Sequence, residues 1–237
     1  MPTIFREVVA HGATKLRVVY TNLSTEVPYF LQQLKERWFN HAPDHEKFFG
    51  LDLEYTTDQR GVAVIQICFA SHVLIFQWAK SDKHCPGLME FLRSGVTFAS
   101  VDIRNDRLKM RHSFGIEIPA VALIDDSYAD MKTSFPRSQH RLWEKGPLDD
   151  INIEYAAKDA YVSYDLYRKV QVVHYSQRHL EEGGHSESFR RVVFLTSNTC
   201  IYIYCSYYYI LFGLVSCTSW TNLYMSSFCL CHYSFQI

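Results

Sequence analysis

The sequence predicts an α/β domain with a mixed sheet, followed by a C-terminal tail of a different kind. Three strand patterns occur in succession early in the chain, and helical and strand patterns alternate after them. This order is typical of a sheet in which some parallel strands are joined by helices. The tail is distinguished by its charge, because Arg191 is the last charged residue of the 237.

The composition restricts the class of protein before any motif is considered. The chain has 24 basic and 25 acidic side chains, a net charge of −1 and 48% apolar residues. That apolar content is sufficient for a hydrophobic core. The near-neutral charge excludes a strongly basic protein that coats nucleic acid, and it excludes an acidic disordered tail.

Five segments are predicted to be strands because they are short, apolar and rich in β-branched or aromatic residues. They cover residues 15–21, 47–55, 62–69, 72–78 and 96–101. Only Ala70 and Ser71 separate the third segment from the fourth, which predicts a hairpin.

Four segments are predicted to be helices, the first and the last of them from apolar residues at helical spacing, and the third is polar. Gly95 and Gly115 follow the second and third segments, where glycine commonly ends a helix. Between the third helix and the fourth, residues 118–150 show no clear pattern. The four helices are expected over residues 27–39, 85–94, 105–114 and 151–173.

The first candidate functional residues are Asp52 and Glu54, on the strand predicted over residues 47–55. Alternate residues of a strand project to the same face, so these two carboxylates lie side by side on an otherwise apolar strand. A divalent cation would relieve their repulsion, and Mg²⁺ or Mn²⁺ prefers oxygen ligands. A strand that emerges into solvent is the alternative for this pattern alone.

Two further acids follow on predicted helices. Asp106 lies in a first helical turn directly after a buried strand, where sites of α/β proteins are often built. Capping of that helix by Asn105 and Asp106 is the alternative. Tyr155 and Asp159 are four residues apart and therefore share one helix face. An amphipathic helix with one exposed acid is the alternative there.

Taken together and in this order, the acids resemble the three exonuclease motifs of the DEDD superfamily in its tyrosine form. This family comprises the ribonuclease-D-like and Werner-syndrome-exonuclease-like 3′–5′ exonucleases. The resemblance covers about residues 15–173, and the sequence around the third motif is similar to that of plant members of the family. The residues that carry it are Asp52, Glu54, Asp106, Tyr155 and Asp159, together with Gln66 in the second motif-bearing strand, Trp143, and Gly146-Pro147-Leu148.

The resemblance implies a ribonuclease-H-like fold, with a mixed five-stranded sheet flanked by helices, in an exonuclease domain over residues 1–180. It also implies hydrolysis of phosphodiester bonds from a single-stranded or recessed 3′ end of DNA or RNA. Two Mg²⁺ or Mn²⁺ ions would be held by Asp52, Glu54, Asp106 and Asp159. Tyr155 would orient the attacking water.

A basic cluster precedes the third motif and contains Lys132, Arg137, His140, Arg141 and Lys145. Arg137, Arg141 and Lys145 are the candidates for contacts with the phosphates of a nucleic acid. A solvated loop and helix face is the alternative.

The chain departs from the family between Asp106 and Asp159, where the sequence is short. Residues 120–126 resemble the end of a later family helix, so we expect an edge strand and part of a helix to be absent. This departure leaves a second function open, that of a catalytically impaired exonuclease-like module that binds nucleic acid or protein.

The tail, residues 181–237, is expected to be a linker and an uncharged hydrophobic segment rather than a domain. We favour translated non-coding sequence as the origin of residues 192–237, which carry no charge. The alternative is a membrane anchor, because residues 200–217 form 18 uncharged residues, the lower limit for a membrane span. The N-terminus lacks the pattern of a signal peptide, and the body has two scattered cysteines, so we expect a nuclear or cytoplasmic protein.

Overall fold

The structure is a computed structural model that describes most of the chain. The described residues are 3–10, 13–101, 103–118, 120–122, 135–182, 190–196, 199–205, 210–216 and 224–231. They form two compact units, Met1–Arg168 and Lys169–Ile237.

The first unit contains a mixed sheet with the strand order β1-β2-β5-β4-β3-β6-β7. Neighbours β2 and β5, β3 and β6, and β6 and β7 are parallel, and the other pairs are antiparallel. The predicted mixed sheet and the predicted hairpin of β4 and β5 are therefore confirmed. The strands are β1 (Ile4–Val9), β2 (Lys15–Thr21), β3 (Phe48–Tyr55), β4 (Val62–Phe69), β5 (His72–Phe76), β6 (Thr97–Ser100) and β7 (Ala120–Ala122).

Four α-helices of the described residues accompany the sheet at the predicted places. Gly95 and Gly115 have φ values of +79° and +62°, which favour glycine, and they follow the ends of the second and third helices. The fourth helix extends beyond the predicted end at residue 173. The helices are α1 (Glu26–Arg37), α2 (Pro86–Arg93), α3 (Ile103–Phe114) and α4 (Asp150–Glu182).

The edge of the sheet beside β6 differs from the expectation. Residues Ala120–Ala122 form β7, which pairs in parallel with Phe98, Ala99 and Ser100. The resemblance of this segment to a helix end was therefore wrong for these three residues, and residues 123–126 lie outside the described part. The backbone edge of β6 offers hydrogen-bond partners, which outweigh a weak local preference. The edge that we expected to be empty carries a short strand.

The opposite edge carries β1, a strand that the sequence analysis did not predict. It pairs with β2 from Ile4 opposite Tyr20 to Val9 opposite Lys15. Of its apolar residues, Phe5 is 76% and Val9 55% exposed. Apolar side chains on the solvent face obscure the alternation by which a strand is recognised, so the pattern gave no signal.

The second unit contains an antiparallel sheet with the strand order β11-β10-β9-β8. The described parts of residues 200–217 lie in β9 and β10. Within the described ranges, no helix has both the length and the apolar character needed to cross a membrane. The prediction that residues 181–237 are not a domain stays a prediction. The strands are β8 (Arg190–Thr196), β9 (Thr199–Cys205), β10 (Ile210–Ser216) and β11 (Tyr224–Cys231).

Candidate active site

Strand β3 carries Asp52 and Glu54 on one face of the sheet. Both side chains are half-buried, whereas Leu51 and Leu53, which alternate with them, are 0% and 5% exposed. The predicted alternation is thus present. β3 lies between β4 and β6 in the sheet. Its pairing with β6 covers Phe48–Gly50, whereas Asp52 and Glu54 lie farther along the strand, opposite Gln66 and Val64 of β4.

Helix α4 crosses that face of β3 at Gly50, two residues before Asp52. A Cβ atom at Gly50 would lie 2.4 Å from the carbonyl oxygen of Ala160 and 2.7 Å from the backbone nitrogen of Tyr164. Real Cβ atoms do not approach backbone so closely, so a glycine is required at this crossing. The small residues Ala156 and Ala160 are fully buried on the helix side.

The close crossing brings Asp159 of α4 to the acids of β3. Asp52, Glu54 and Asp159 each offer one carboxylate oxygen, and these oxygens all lie within 4.8 Å of one another. We call these three residues the carboxylate cluster. Asp159 is only 6% exposed, so little solvent is available to screen the repulsion of three negative charges. A divalent cation bound among them would offset that repulsion.

Asp106 lies in the same pocket but outside the carboxylate cluster. It is 1% exposed, and its Oδ1 accepts a hydrogen bond of 2.8 Å from the Tyr55 hydroxyl. Its Oδ2 accepts a hydrogen bond from the Ser100 hydroxyl. Because α3 begins at Ile103, Asp106 is past the position of a helix cap. Asp106 is therefore a buried acid with two hydroxyl donors, and not the helix cap that was the alternative for this residue.

Tyr155 precedes Asp159 by one turn of α4 and is 8% exposed. Burial raises the pKa of its hydroxyl far above the usual value, and the charges of Asp159 and Glu54 raise the pKa further. A side-chain hydrogen bond joins Tyr155 to Asp159. The hydroxyl is therefore neutral at physiological pH, so it can donate a hydrogen bond but does not act as a base.

One pocket of about 400 Å³ contains all five predicted site residues. It is lined by Asp52, Glu54, Asp106, Tyr155 and Asp159, and also by Leu53, Tyr55, Gln59, His140 and Trp143. The pocket lining contains four carboxylates and no lysine or arginine among the described residues. A phosphate group would need a cation in order to bind here.

Phe135, His140 and Trp143 form an aromatic group around Tyr155, and this group was not predicted. His140 and Trp143 line the pocket. The ring of Phe135 stacks on Tyr155 with centroids 3.9 Å apart, and Trp143 stacks on Phe135 at 5.8 Å. The His140 ring meets Tyr155 edge-on at 5.6 Å. Trp143 was noted only as part of the family resemblance. Phe135 gave no signal, because it lies in the segment without a clear pattern.

The loop that carries Trp143 is fixed by hydrogen bonds from distant strands. Gln77 donates to the backbone oxygens of Trp143 and Lys145, at 3.0 and 2.7 Å. Tyr20 donates to the Gln77 side chain at 2.6 Å, and its oxygen accepts from the backbone N–H of Leu148 at 3.1 Å. Three of these four bonds are fully buried, which makes the loss of any partner costly.

The predicted phosphate contacts do not lie in the pocket. Arg137, Arg141 and Lys145 are exposed, and none of them lines it. His140, from the same basic cluster, does line it, and Lys132 lies outside the described residues. The nucleic-acid role of the three exposed residues stays a prediction.

Comparison with known proteins identifies the fold. No family model matches the sequence, and no curated protein matches it. The catalytic core of RRP6 from Trypanosoma brucei matches the structure with a TM-score of 0.50 and 12% sequence identity, over 74% of this chain and 52% of that one. This likeness shows the fold, and the first unit has the mixed α/β, ribonuclease-H-like fold that the resemblance implied.

Two other solved structures are similar to parts of this chain. Escherichia coli RNase D, an exoribonuclease involved in structured RNA processing, has 15% identity and a TM-score of 0.46, over 70% of this chain and 45% of that one. The EXD2 exonuclease domain has 17% identity and a TM-score of 0.35, over 73% of this chain and 98% of that one. The chain spans about half the length of the RNase D and RRP6 structures.

Proposed function

We propose that the protein is a metal-dependent 3′–5′ exonuclease that hydrolyses phosphodiester bonds from the 3′ end of DNA or RNA. The observation that carries this proposal is the carboxylate cluster, whose oxygens lie within 4.8 Å of one another in a pocket shared with Asp106 and Tyr155. The exonuclease fold is consistent with this chemistry.

The donor set fits divalent metal ions of the hard type. All the candidate ligands are carboxylate oxygens, without sulfur or imidazole, and this favours Mg²⁺ or Mn²⁺. Asp52, Glu54 and Asp159 would hold one ion, and Asp106 would provide a ligand for a second. When bound, such ions activate water and stabilise charge on the leaving oxygen.

The residues around the metal ligands have separate tasks in this proposal. The Tyr155 hydroxyl donates its one proton to Asp159, which fixes the direction of the hydroxyl. The Tyr155 oxygen then accepts a hydrogen bond from the attacking water and orients it. The aromatic group packs against the Tyr155 ring and restricts its motion.

The charge of the protein bears on how much of a nucleic acid it would contact. A net charge of −1 favours a short contact with a 3′ end over the wrapping of a long nucleic acid. In this proposal the substrate is a single-stranded or a recessed 3′ end, and Arg137, Arg141 and Lys145 contact its phosphates outside the pocket. We place this activity in the nucleus or the cytoplasm, with a membrane partner only if the tail serves as an anchor.

The catalytically impaired module is the less favoured function. An impaired relative is expected to have lost a ligand or its placement. Here all five motif residues line one pocket, and the edge beside β6 carries a strand.

An exonuclease assay with the full chain tests the proposal. A 5′-labelled single-stranded oligonucleotide, as DNA and as RNA, should shorten stepwise from its 3′ end with Mg²⁺ or Mn²⁺ and remain intact with EDTA. Asp52→Ala should remove the activity. Asp149→Asn, which changes an exposed acid away from the pocket, should retain it. Shortening that persists in EDTA or in Asp52→Ala would overturn the proposal.

A further inference from the structure

Tyr55 occupies an irregular position at the end of β3. In the pairing with β4, Glu54 lies opposite Val64, but Tyr55 lies opposite Val62, so Ala63 is passed over. The extra residue lies in β4, so the irregularity is a bulge of that strand beside Tyr55. Tyr55 lines the same pocket as Glu54.

The Tyr55 side chain binds Asp106. Its hydroxyl donates to Oδ1 at 2.8 Å, while Ser100 donates to Oδ2. A hydroxyl bond to each oxygen fixes the rotation of the carboxylate. Each carboxylate oxygen has two lone pairs, so both oxygens retain capacity for a cation.

The ring of Tyr55 is itself held by Lys109. The Lys109 ammonium lies 5.1 Å from the ring centroid and donates to the backbone oxygen of Gln59 in the β3–β4 turn. Lys109 and Asp106 both belong to α3. Helix α3 therefore carries both the acid that accepts the Tyr55 hydrogen bond and the ammonium group that contacts the Tyr55 ring. This arrangement fixes the position of Tyr55 relative to Asp106.

We propose that Tyr55 is a positioning residue that orients Asp106 toward the second of the two metal ions. This inference rests on the proposed exonuclease function. The carboxylate cluster does not include Asp106, so the placement of Asp106 has to be secured by other groups. Loss of such an outer hydrogen bond typically weakens metal binding by about 10- to 100-fold.

Binding of Mn²⁺ to the full chain, measured by electron paramagnetic resonance in the presence of thymidine 5′-monophosphate, tests the inference. The unaltered protein should show two classes of site. Tyr55→Phe, which keeps the ring and removes the hydroxyl, should raise the Kd of the weaker class about tenfold or more and leave the tighter class unchanged. Tyr29→Phe, at an exposed tyrosine of α1, should change neither class.

A double-mutant cycle separates positioning from a general structural effect. Asp106→Asn should weaken the same class of site, and Tyr55→Phe added to it should have no further effect. Ser100→Ala should act in the same direction as Tyr55→Phe, which gives a second route if one variant folds poorly. An equal loss of both classes, or an added effect in the Asp106→Asn background, would overturn the inference.

Two negative results can be told apart. If the unaltered protein binds no Mn²⁺, both the proposed metal site and this inference fail. If it binds two classes of Mn²⁺ and Tyr55→Phe binds them equally well, the inference alone fails, and the proposed exonuclease remains.

Discussion

The carboxylate cluster and the aromatic group both contact Tyr155, the first by a hydrogen bond from Tyr155 to Asp159 and the second by ring stacking. The chain builds the two groups in different ways. The cluster comes from the middle of a strand and from a long helix that meet at Gly50. The aromatic group comes from the segment between β7 and α4, which is held by hydrogen bonds from β2 and from the end of β5. The candidate metal ligands thus lie on a regular strand and helix, whereas the aromatic residues around Tyr155 are positioned by tertiary contacts. Substitutions in the two regions should therefore differ in kind.

The largest effect is expected where the chemistry is carried. Asp159→Ala removes a metal ligand and the partner of Tyr155, so exonuclease activity should fall by about 1000-fold or more, while the fold persists. Phe135→Leu, in the aromatic group, should reduce activity only about tenfold, because it loosens the Tyr155 ring without removing a ligand. Rates of nucleotide release, with thermal unfolding as the check on folding, measure both. Similar losses for the two variants would contradict the division.

The second effect concerns the crossing that assembles the cluster. Gly50→Ala would place a Cβ 2.4 Å from the Ala160 oxygen, so α4 must shift away from β3. We expect a loss of about 1–3 kcal/mol in the free energy of unfolding, and a loss of activity of about 100-fold because Asp159 moves with the helix. Urea unfolding and the exonuclease assay measure these.

Gly61→Ala is the matched control for this change. A Cβ there would meet its nearest atom at 3.7 Å, which is an ordinary contact. Its stability and activity should therefore stay close to those of the unaltered protein. If Gly50→Ala behaves in the same way, the close crossing is not what places Asp159.

A smaller effect is expected from the bonds that hold the Trp143 loop. Tyr20→Phe leaves the Gln77 oxygen and the Leu148 N–H without this partner in a buried place. The free energy of unfolding should fall by about 1–3 kcal/mol. Binding of Mn²⁺ to the carboxylate cluster should be unchanged, because the loop contributes none of its oxygens. Weaker Mn²⁺ binding in Tyr20→Phe would show that the two regions are coupled.

The smallest effect is a dependence on pH that arises from Tyr155. Burial raises the pKa of Tyr155 in the folded state. The contribution of Tyr155 to the free energy of unfolding is therefore fully present below the pKa of an unfolded tyrosine, about 10, and is lost as the pH rises above that value. Above about pH 10 this one group should lower the free energy of unfolding by about 1.4 kcal/mol per pH unit. Urea unfolding from pH 8 to 11 should show a steeper fall in the unaltered protein than in Tyr155→Phe. Equal slopes would contradict the assignment.

Much of the site could be predicted because its residues lie at regular intervals in regular elements. The two-residue period of a strand pairs Asp52 with Glu54, and the helical turn pairs Tyr155 with Asp159. The resemblance to the exonuclease motifs then joined these pairs to Asp106. The hydroxyl bonds of Tyr55 and Ser100 to Asp106 were not predicted, because they join different elements of the fold and no local pattern records them.

Local patterns were sufficient to predict β2 to β6 and the four described helices, the order of the acids, and the boundary of the uncharged tail. Each of these features depends on periodicity, glycine stops or charge within a short window. Three features came from tertiary contacts: Ala120–Ala122 completes an edge of the sheet, Gly50 admits α4, and the aromatic group packs against Tyr155. Each of these depends on backbone edges and packing surfaces supplied by distant parts of the chain, which no local pattern records.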